Sequence, residues 1–208
     1  MSYSLIIPIF NEKVRLKNLL SQLKIFDNKI EVIIINDGST DGTERTLRNQ
    51  DSIKIINHKK NLGKGSSILT GVQNATRNNI ILMDGDLEIH MSNVVRAIEK
   101  YESKSNCIIV GTRWNNSNKA PLSILTIGNY FINYVFNFLY RTNFNDVLCC
   151  MKILDVKTFK ELKIESQGFS FEAELMSKLA LKNCNINEIL VDYKRRDNKN
   201  GKKLKISD

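Results

Sequence analysis

Short apolar segments rich in β-branched residues alternate with segments of helical spacing in the first half of the chain. Segments of this kind are typical of buried strands, whereas apolar residues three or four positions apart indicate helices. The predicted strands are Ser4–Ile7, Glu31–Asn36, Ile53–Asn57 and Ile80–Met83. The predicted helices are Glu12–Lys24, a helix capped by Thr40 or Asp41 that runs to Asn49, and Lys64–Thr76. This alternation indicates a parallel α/β sheet with right-handed crossovers.

The second half of the chain has a less regular pattern. We predict strands over Cys107–Gly111, Val147–Leu154 and Ile186–Val191, and a helix over Phe171–Leu181. With the first half, these elements predict one α/β domain over residues 1–193, built on a single mixed, mostly parallel central sheet flanked by helices. Residues 194–208 form a separate basic tail.

An uncharged segment of 21 residues, Ala120–Tyr140, is long enough to suggest a transmembrane helix. However, Asn129, Asn133 and Asn137 are spaced four residues apart, which places a polar stripe along one helix face. The pattern therefore favours an amphipathic helix, packed on the sheet or lying on a bilayer surface. Its apolar side includes Phe131, Tyr134, Val135 and Phe138. Core packing, membrane contact and a homodimer contact all remain open from the sequence.

The net charge of +9 is concentrated near the end of the chain. The segment Lys194–Lys205 holds seven basic residues and one acidic residue, which is +6 of the total. Such a tail can meet nucleic acid, anionic lipid or a phosphorylated substrate. No recognition-helix, zinc or aromatic ribonucleoprotein pattern accompanies it, so we expect no nucleic-acid partner.

Cysteine usage bears on the compartment. The four cysteines show neither a disulfide framework nor a C-x-x-C metal pattern. No signal peptide is visible before the first predicted strand. We therefore expect a cytoplasmic protein, either free or at the cytoplasmic membrane surface.

Polar segments follow the predicted strands, and the most informative of them is Asp84-Gly85-Asp86. Side chains two residues apart in an extended chain point the same way, so Asp84 and Asp86 can converge on one Mg²⁺ or Mn²⁺ ion together with substrate phosphates. A solvated turn is the alternative for a motif this short. Three further polar segments, Pro8–Glu12, Asp37–Gly42 and Asn61–Gly65, fall at or near other strand ends, where open α/β sheets bind ligands. Together they predict a diphosphate ligand such as a nucleotide-sugar.

In their order, these segments resemble the inverting family 2 glycosyltransferases with a GT-A fold, particularly the dolichyl- and polyprenyl-phosphate sugar transferases. The matching motifs are P-x-x-N-E at 8–12, D-G-S-x-D-G-T at 37–43, N-x-G-K-G at 61–65, D-x-D-L-Q at 84–88, G-[ST]-R at 111–113 and a final R…G-K-K at 196–203. Glu88 stands where the family has glutamine. The resemblance covers nearly the whole chain and implies a GT-A fold.

For the donor, the resemblance implies a nucleotide-sugar site that needs Mg²⁺ or Mn²⁺. Asp84 faces the nucleotide, Asp86 binds the metal, and Glu88 is a candidate third ligand. Lys64 lies in a glycine-flanked helix start, where backbone N–H groups can approach a phosphate. The other implied donor contacts are Pro8, Asn11, Glu12 and Asp37. Helix capping by Asn11 and turn capping by Asp37 or Asp41 are the alternatives that the residues themselves leave open.

For the reaction, the resemblance implies hexose transfer from a UDP- or GDP-linked sugar to a polyprenyl or dolichyl phosphate, with inversion. An anionic acceptor needs no strong base, so basic residues are expected to hold its phosphate and the tail to fold over the site as a lid. These residues are Arg113, Arg196, Lys202 and Lys203. A hydroxyl acceptor in glycan, polysaccharide or glycolipid synthesis would instead need a general base, for which Asp146 is the candidate.

Two departures from the family pattern bear on these expectations. Several polyprenyl-phosphate sugar transferases carry a further arginine where this chain has Leu122, Ser123 and Ile124, which weakens the lipid-phosphate assignment. Cys150 occupies a position where the family usually has glycine. Neither departure affects the predicted donor site.

Overall fold

One seven-stranded sheet forms the centre of the fold in the part of the chain that the structure describes. The computed structural model describes residues 2–26, 29–48, 50–104, 107–114 and 124–196. Within these ranges the strands are β1 (Tyr3–Ile9), β2 (Glu31–Asn36), β3 (Lys54–Asn57), β4 (Asn79–Leu82), β5 (Ile108–Thr112), β6 (Lys152–Asp155) and β7 (Ile186–Leu190). The α-helices are α1 (Lys13–Leu23), α2 (Thr43–Leu47), α3 (Lys64–Asn74), α4 (Ser92–Glu102), α5 (Ile124–Tyr140), α6 (Val156–Glu161) and α7 (Phe171–Leu181). A 3₁₀ turn, Lys24–Phe26, extends α1.

The strand order is β3-β2-β1-β4-β6-β5-β7. Strand β6 runs antiparallel to both of its neighbours, β4 and β5, and all the other pairs are parallel. The prediction of a mixed, mostly parallel sheet is therefore confirmed. In the parallel half, β1, β2 and β4 place their carboxyl ends at one edge, which is where the polar segments emerge.

Both faces of the sheet are covered by helices. Alternate residues of β1 serve the two cores: Leu5 and Ile7 pack with α1 and α4, and Ile6 packs with α3 and α7. Strands buried on both faces need apolar residues at successive positions, which explains the continuous β-branched runs. The helical spacing of α1 follows from the same packing, since Leu16, Leu19 and Leu23 form its buried face.

Several predicted elements need correction. The predicted strand Val147–Leu154 is only Lys152–Asp155, because residues 147–150 form a turn and a bend before the strand begins. Helix α2 is shorter than predicted, and Asp41 accepts hydrogen bonds from the N–H groups of Thr43 and Lys13, which tie the starts of α2 and α1 together. Residues Ser92–Glu102, for which we predict no element, form α4; its buried Val94 and Ala97 lie three positions apart, as in an amphipathic helix.

Helix α5 turns its stripe of asparagines toward the protein and much of its apolar side toward solvent. The Nδ2 groups of Asn133 and Asn137 donate to the carbonyl oxygen of Phe144 over 2.6 and 2.8 Å, and Asn137 Oδ1 accepts from the Phe144 N–H. The amide stripe thus faces the protein, while Phe131, Tyr134 and Phe138 are 66%, 70% and 75% exposed. The alternative that these three side chains pack in the core is therefore wrong. Among the described residues, no helix is long and apolar enough to cross a bilayer.

We expect Asn137→Ala to lower the free energy of unfolding by about 1–3 kcal/mol, because the Phe144 N–H loses its acceptor and the Phe144 carbonyl loses one of its two amide donors. Urea denaturation would measure this change. Phe138→Ala on the exposed face of the same helix is the matched control, with an expected change within about 0.5 kcal/mol. Equal losses in the two variants would contradict the inward orientation of the amide stripe.

Candidate active site

A cavity of about 450 Å³ opens at the carboxyl ends of β1, β2 and β4. Its lining includes nine of the residues singled out from the sequence: Pro8, Glu12, Asp37, Lys64, Asp84, Asp86, Glu88, Arg113 and Arg196. Asn11 and Asp146 lie behind this lining and contact the lining residues or their loops. Lys202 and Lys203 lie outside the described residues, as does the rest of the predicted tail after Arg196.

Asn11 joins the loops that follow β1 and β2. Its backbone N–H donates to Ser39 Oγ over 2.8 Å, and its side-chain Oδ1 accepts from the Thr40 N–H over 2.8 Å. The capping alternative for Asn11 is therefore wrong, because the residue at the N-terminus of α1 is Glu12 and the Asn11 side chain is used between loops. Asn11 also has a φ of 51°, a left-handed conformation that asparagine tolerates better than most residues.

Asp37 organises the loop that precedes α3. It is 3% exposed, and its two carboxylate oxygens accept the N–H groups of Leu62 and Gly63, each over 2.9 Å. The Nδ1 atom of His58 lies 2.7 Å from Asp37 Oδ1, and the opposite ring nitrogen lies 3.0 Å from Thr70 Oγ1. Sequence reasoning missed His58, whose only signal is its position directly after β3.

The glycines beside Lys64 make room for protein backbone. A Cβ atom on Gly65 would collide with the carbonyl oxygen of Ser166, and one on Gly63 would collide with that of Gln167. The Ser66 N–H donates to the same Gln167 oxygen over 3.1 Å. The segment 166–168 thus packs against the start of α3, so the expectation that these glycines admit a phosphate needs correction.

Lys64 bridges two carboxylates. Its Nζ lies 2.7 Å from Asp84 Oδ1 and 2.6 Å from Glu172 Oε1. Burial opposes the charged form of Lys64, but the neighbouring Asp84 and Glu172 outweigh it and hold the lysine pKa well above its ordinary value. Glu172, which is 5% exposed, received no role from the sequence. Lys64 therefore compensates the charge of Asp84 and fixes its orientation.

Asp86 is the most perturbed carboxyl group of the cavity. Burial raises its pKa to about 6, with further increases from the negative charges of Asp84 and Glu88 and an opposing effect of Arg196. Its Oδ1 accepts the Glu88 N–H over 3.0 Å, and its Oδ2 lies 2.7 Å from Arg196 Nη2. Arg196 also lies 3.1 Å from Glu12 Oε1. Arg196, expected to bind the acceptor phosphate, thus neutralises the acidic side of the cavity.

The carboxylate side chains of the cavity suit a hard divalent cation whose coordination shell is completed by a bound small molecule. Among the described residues, no group of three or more histidine, cysteine, aspartate and glutamate side chains is arranged to enclose a metal. Mg²⁺ is usually bound by only one or two carboxylates, with phosphates and waters completing the shell. The guanidinium of Arg196 already serves as a cation beside Asp86, which shows that this position favours positive charge. Glu88 is engaged elsewhere, accepting from Tyr193 Oη over 3.0 Å.

Arg113 is held rigidly by Asp146. The guanidinium donates to both carboxylate oxygens over 2.7 and 2.8 Å, and the Arg113 backbone N–H adds a third bond of 3.0 Å. The guanidinium also lies over the ring of Trp114, 4.4 Å from its centroid. Burial opposes the charge on Arg113, but Asp146 raises the arginine pKa above its already high ordinary value. Asp146 is 2% exposed and therefore acts on the cavity through Arg113.

Comparison with known proteins agrees with this geometry. The family model described as "Glycosyl transferase family 2" matches residues 4–163. The chain is 24% identical over 180 residues to dodecaprenyl-phosphate galacturonate synthase of Rhizobium johnstonii, covering 82% of this chain and 53% of that protein. Over an alignment of 231 positions it is 25% identical to dolichyl-phosphate beta-glucosyltransferase ALG5D of Trichomonas vaginalis, covering 98% of this chain and 68% of that protein. The chain thus spans about half the length of the first of these relatives.

Solved structures show the same fold. Glucosyl-3-phosphoglycerate synthase from Mycobacterium tuberculosis, in complex with Mn²⁺, UDP and phosphoglyceric acid, gives a TM-score of 0.71 at 14% identity, covering 94% of this chain and 72% of that one. Residues 1–349 of S. aureus TarS, in complex with UDP-GlcNAc, give 0.63 at 19% identity, covering 95% and 60%. The expected GT-A fold is thereby confirmed.

We expect Asp146→Ala to lower the free energy of unfolding by about 3–5 kcal/mol, because it leaves the buried Arg113 guanidinium without its partner. The double variant Asp146→Ala with Arg113→Met should recover part of this loss, since both charges are then absent. Chemical denaturation of the two single variants and the double variant gives the coupling energy of the pair. Additive losses would show that the pair does not act as a unit.

Proposed function

The chain belongs to glycosyl transferase family 2, and from this membership we propose that it transfers a hexose from a nucleotide diphosphate sugar to a polyprenyl or dolichyl phosphate, with inversion at the anomeric carbon. The observation that carries the proposal is the partly buried Asp86 beside Asp84, in a cavity where Lys64 and Arg196 balance their charge. Two relatives whose names specify dodecaprenyl and dolichyl phosphates support the choice of acceptor.

For the donor, we assign the nucleotide end to the loops after β1 and β2. Pro8 and Asp37 line the cavity there. Asn11 accepts the Thr40 N–H, and the Glu12 N–H donates to Thr43 Oγ1, so these two residues hold the loop after β1 against the loop after β2. A carboxylate offers about four lone-pair sites. The Leu62 and Gly63 N–H groups and His58 Nδ1 use three of these sites on Asp37, so its Oδ2 retains capacity for one further bond, to a base or ribose.

For the diphosphate, we assign Asp84 and Asp86 to a Mg²⁺ or Mn²⁺ ion, which would supply electrostatic stabilisation of the charge that develops on the departing nucleotide. Lys64 keeps Asp84 oriented through its second contact with Glu172. The Mn²⁺ and UDP in the structure of glucosyl-3-phosphoglycerate synthase are consistent with such a pair of ligands. We assign Glu88 to holding Tyr193 and the backbone of Arg196.

For the acceptor, we assign the phosphate to Arg113, whose guanidinium lines the cavity in an orientation fixed by Asp146 and Trp114. A planar guanidinium suits bidentate contact with a phosphate. The bonds of Asp146 to Arg113 engage both its oxygens, which supports a positioning role over that of a general base. This pairing favours an acceptor that is already anionic.

The exposed face of α5 suggests how a lipid-linked acceptor reaches the cavity. Its large apolar side chains that are exposed are Ile127, Tyr130, Phe131, Ile132, Tyr134, Phe138 and Leu139. Thr126 and Asn129 of the same helix line the cavity, so the apolar face and the site are adjacent. We propose that this face rests on an anionic bilayer surface, because a net charge of +9 attracts such a surface and repels a second copy.

Incubation with radiolabelled UDP- and GDP-hexoses, Mn²⁺ and either polyprenyl phosphate or a sugar acceptor tests the reaction. We expect a product that extracts into organic solvent only with polyprenyl phosphate. Asp86→Asn should lower kcat by about 10²–10³-fold, which is the usual range for the loss of one group that stabilises the transition state electrostatically. Asp51→Asn at an exposed turn is the matched control. Product on the sugar acceptor alone, or full turnover by Asp86→Asn, would contradict the proposal.

Co-sedimentation with vesicles of neutral and anionic lipid tests the membrane contact. We expect binding that increases with anionic lipid, and a loss of about tenfold or more when Phe131, Tyr134 and Phe138 are changed to serine, because less apolar surface is buried. Val14→Ser on α1 removes an apolar residue that is 91% exposed elsewhere and should bind as the wild type does. A dimer that the triple variant abolishes, without lipid binding by the wild type, would show that α5 is instead a subunit interface.

A further inference from the structure

The side chain of Arg196 spans the acidic side of the cavity. Its Nη2 lies 2.7 Å from Asp86, its Nη1 lies 3.1 Å from Glu12, and its Nε lies 3.5 Å from Glu88. The side chain is 12% exposed, and the buried Nε atom has no partner within hydrogen-bond geometry. One guanidinium thus faces three carboxylates, and one of its donors is incompletely satisfied.

Glu88 holds this arrangement in place. Its side chain accepts from Tyr193 Oη over 3.0 Å and from the Arg196 N–H over 3.1 Å, and its carbonyl oxygen accepts the Lys194 N–H over 2.7 Å. A β-bridge between Ile89 and Tyr193 continues the contact. Segment 193–196 is therefore attached to the acidic loop at several points. The negative charge of Glu88 adds to the attraction for the Arg196 guanidinium.

The contacts of Asp86 create a conflict with any divalent cation. The Oδ2 atom is engaged by Arg196, and the Oδ1 atom accepts the Glu88 N–H. A divalent cation bound by Asp86 would lie beside the guanidinium, and like charges at such short range repel strongly in a partly buried site. Arg196 and the cation therefore compete for the same carboxylate.

We propose that the Arg196 guanidinium is a resident counter-cation of Asp86, which must leave this carboxylate before a divalent cation can bind, while the backbone of segment 193–196 stays attached to the acidic loop. The inference rests on the proposed function in one respect, namely the assignment of the cation to Asp84 and Asp86. A released guanidinium loses its carboxylate partners, and a phosphate is the natural replacement for them. Arg196 thereby couples the binding of the cation to that of a phosphorylated ligand.

The coupling has a thermodynamic consequence. If a phosphorylated ligand stabilises the released position of Arg196, then that ligand increases the affinity for the cation, and the cation increases the affinity for the ligand by the same factor. Without the guanidinium, the cation binds more tightly on its own and gains less from the ligand. Two opposite changes are therefore expected from one substitution.

Mn²⁺ titration followed by the electron paramagnetic resonance signal of the free ion measures both changes on the intact chain. Without nucleotide, we expect Arg196→Gln to bind Mn²⁺ at least about tenfold more tightly than the wild type, and Arg196→Lys to fall between them because one ammonium replaces the guanidinium fork. With UDP present, the enhancement of Mn²⁺ affinity should be smaller in Arg196→Gln. Arg96→Gln is the matched control, since Arg96 forms an exposed ion pair with Asp192 at 3.2 Å.

Glu88→Gln provides a second variant that keeps an acceptor for Tyr193 but removes one charge from around Arg196. We expect tighter Mn²⁺ binding here too, because the guanidinium is held less strongly. Unchanged or weaker Mn²⁺ binding by Arg196→Gln would overturn the proposal, and so would weaker binding by Glu88→Gln, which would make Glu88 a metal ligand. A cooperative thermal unfolding transition without metal establishes that each variant is folded, and a lower midpoint for Arg196→Gln is expected because its carboxylate partners lose their counter-charge.

The outcomes separate this inference from the proposed reaction. Tighter Mn²⁺ binding by Arg196→Gln, with no hexose transfer by the wild type to any acceptor, would support the counter-cation and contradict the reaction. Hexose transfer by the wild type, with the Mn²⁺ affinity unchanged in Arg196→Gln, would support the reaction and overturn the counter-cation.

Discussion

Crowded negative charge at the carboxyl ends of the strands is the constraint on which the site depends. Asp84 and Asp86 leave β4 within two residues of each other, and burial makes their mutual repulsion costly. The fold balances this charge with cations from distant parts of the chain: Lys64 at the start of α3, and Arg196 at the end of the described residues. The sheet must bring all of these segments together, so the electrostatics of the cavity and the topology of the sheet are not independent.

The same balance of buried charge recurs around Arg113. Arg113 is buried with Asp146, and Glu188 in turn accepts the backbone N–H groups of Asn145 and Asp146. Buried polar groups with complete sets of partners have few alternative arrangements, so they orient the side chains that they support. Arg113 is thus presented to the cavity by a chain of contacts that ends on β7.

The sequence predicts the strands and the chemistry of the loops well, because both depend on local pattern. Glu31–Asn36 and Phe171–Leu181 have the bounds that the pattern indicates. Partners are harder to predict. Nothing local indicates that Glu172 contacts Lys64, or that Arg196 reaches a carboxylate 110 residues earlier. Periodicity also does not show which face of a helix points inward: the amides of α5 face the protein because backbone groups near Phe144 need partners there.

The position of Trp114 has a practical consequence. It is the only tryptophan in the sequence, and its ring lies beneath the Arg113 guanidinium and 6.3 Å from the ring of Tyr193, at the start of the segment that carries Arg196. Indole emission responds to nearby charge and to the polarity of its surroundings. The protein therefore contains an intrinsic fluorophore beside Arg113, and events in the cavity can be followed without attaching a dye.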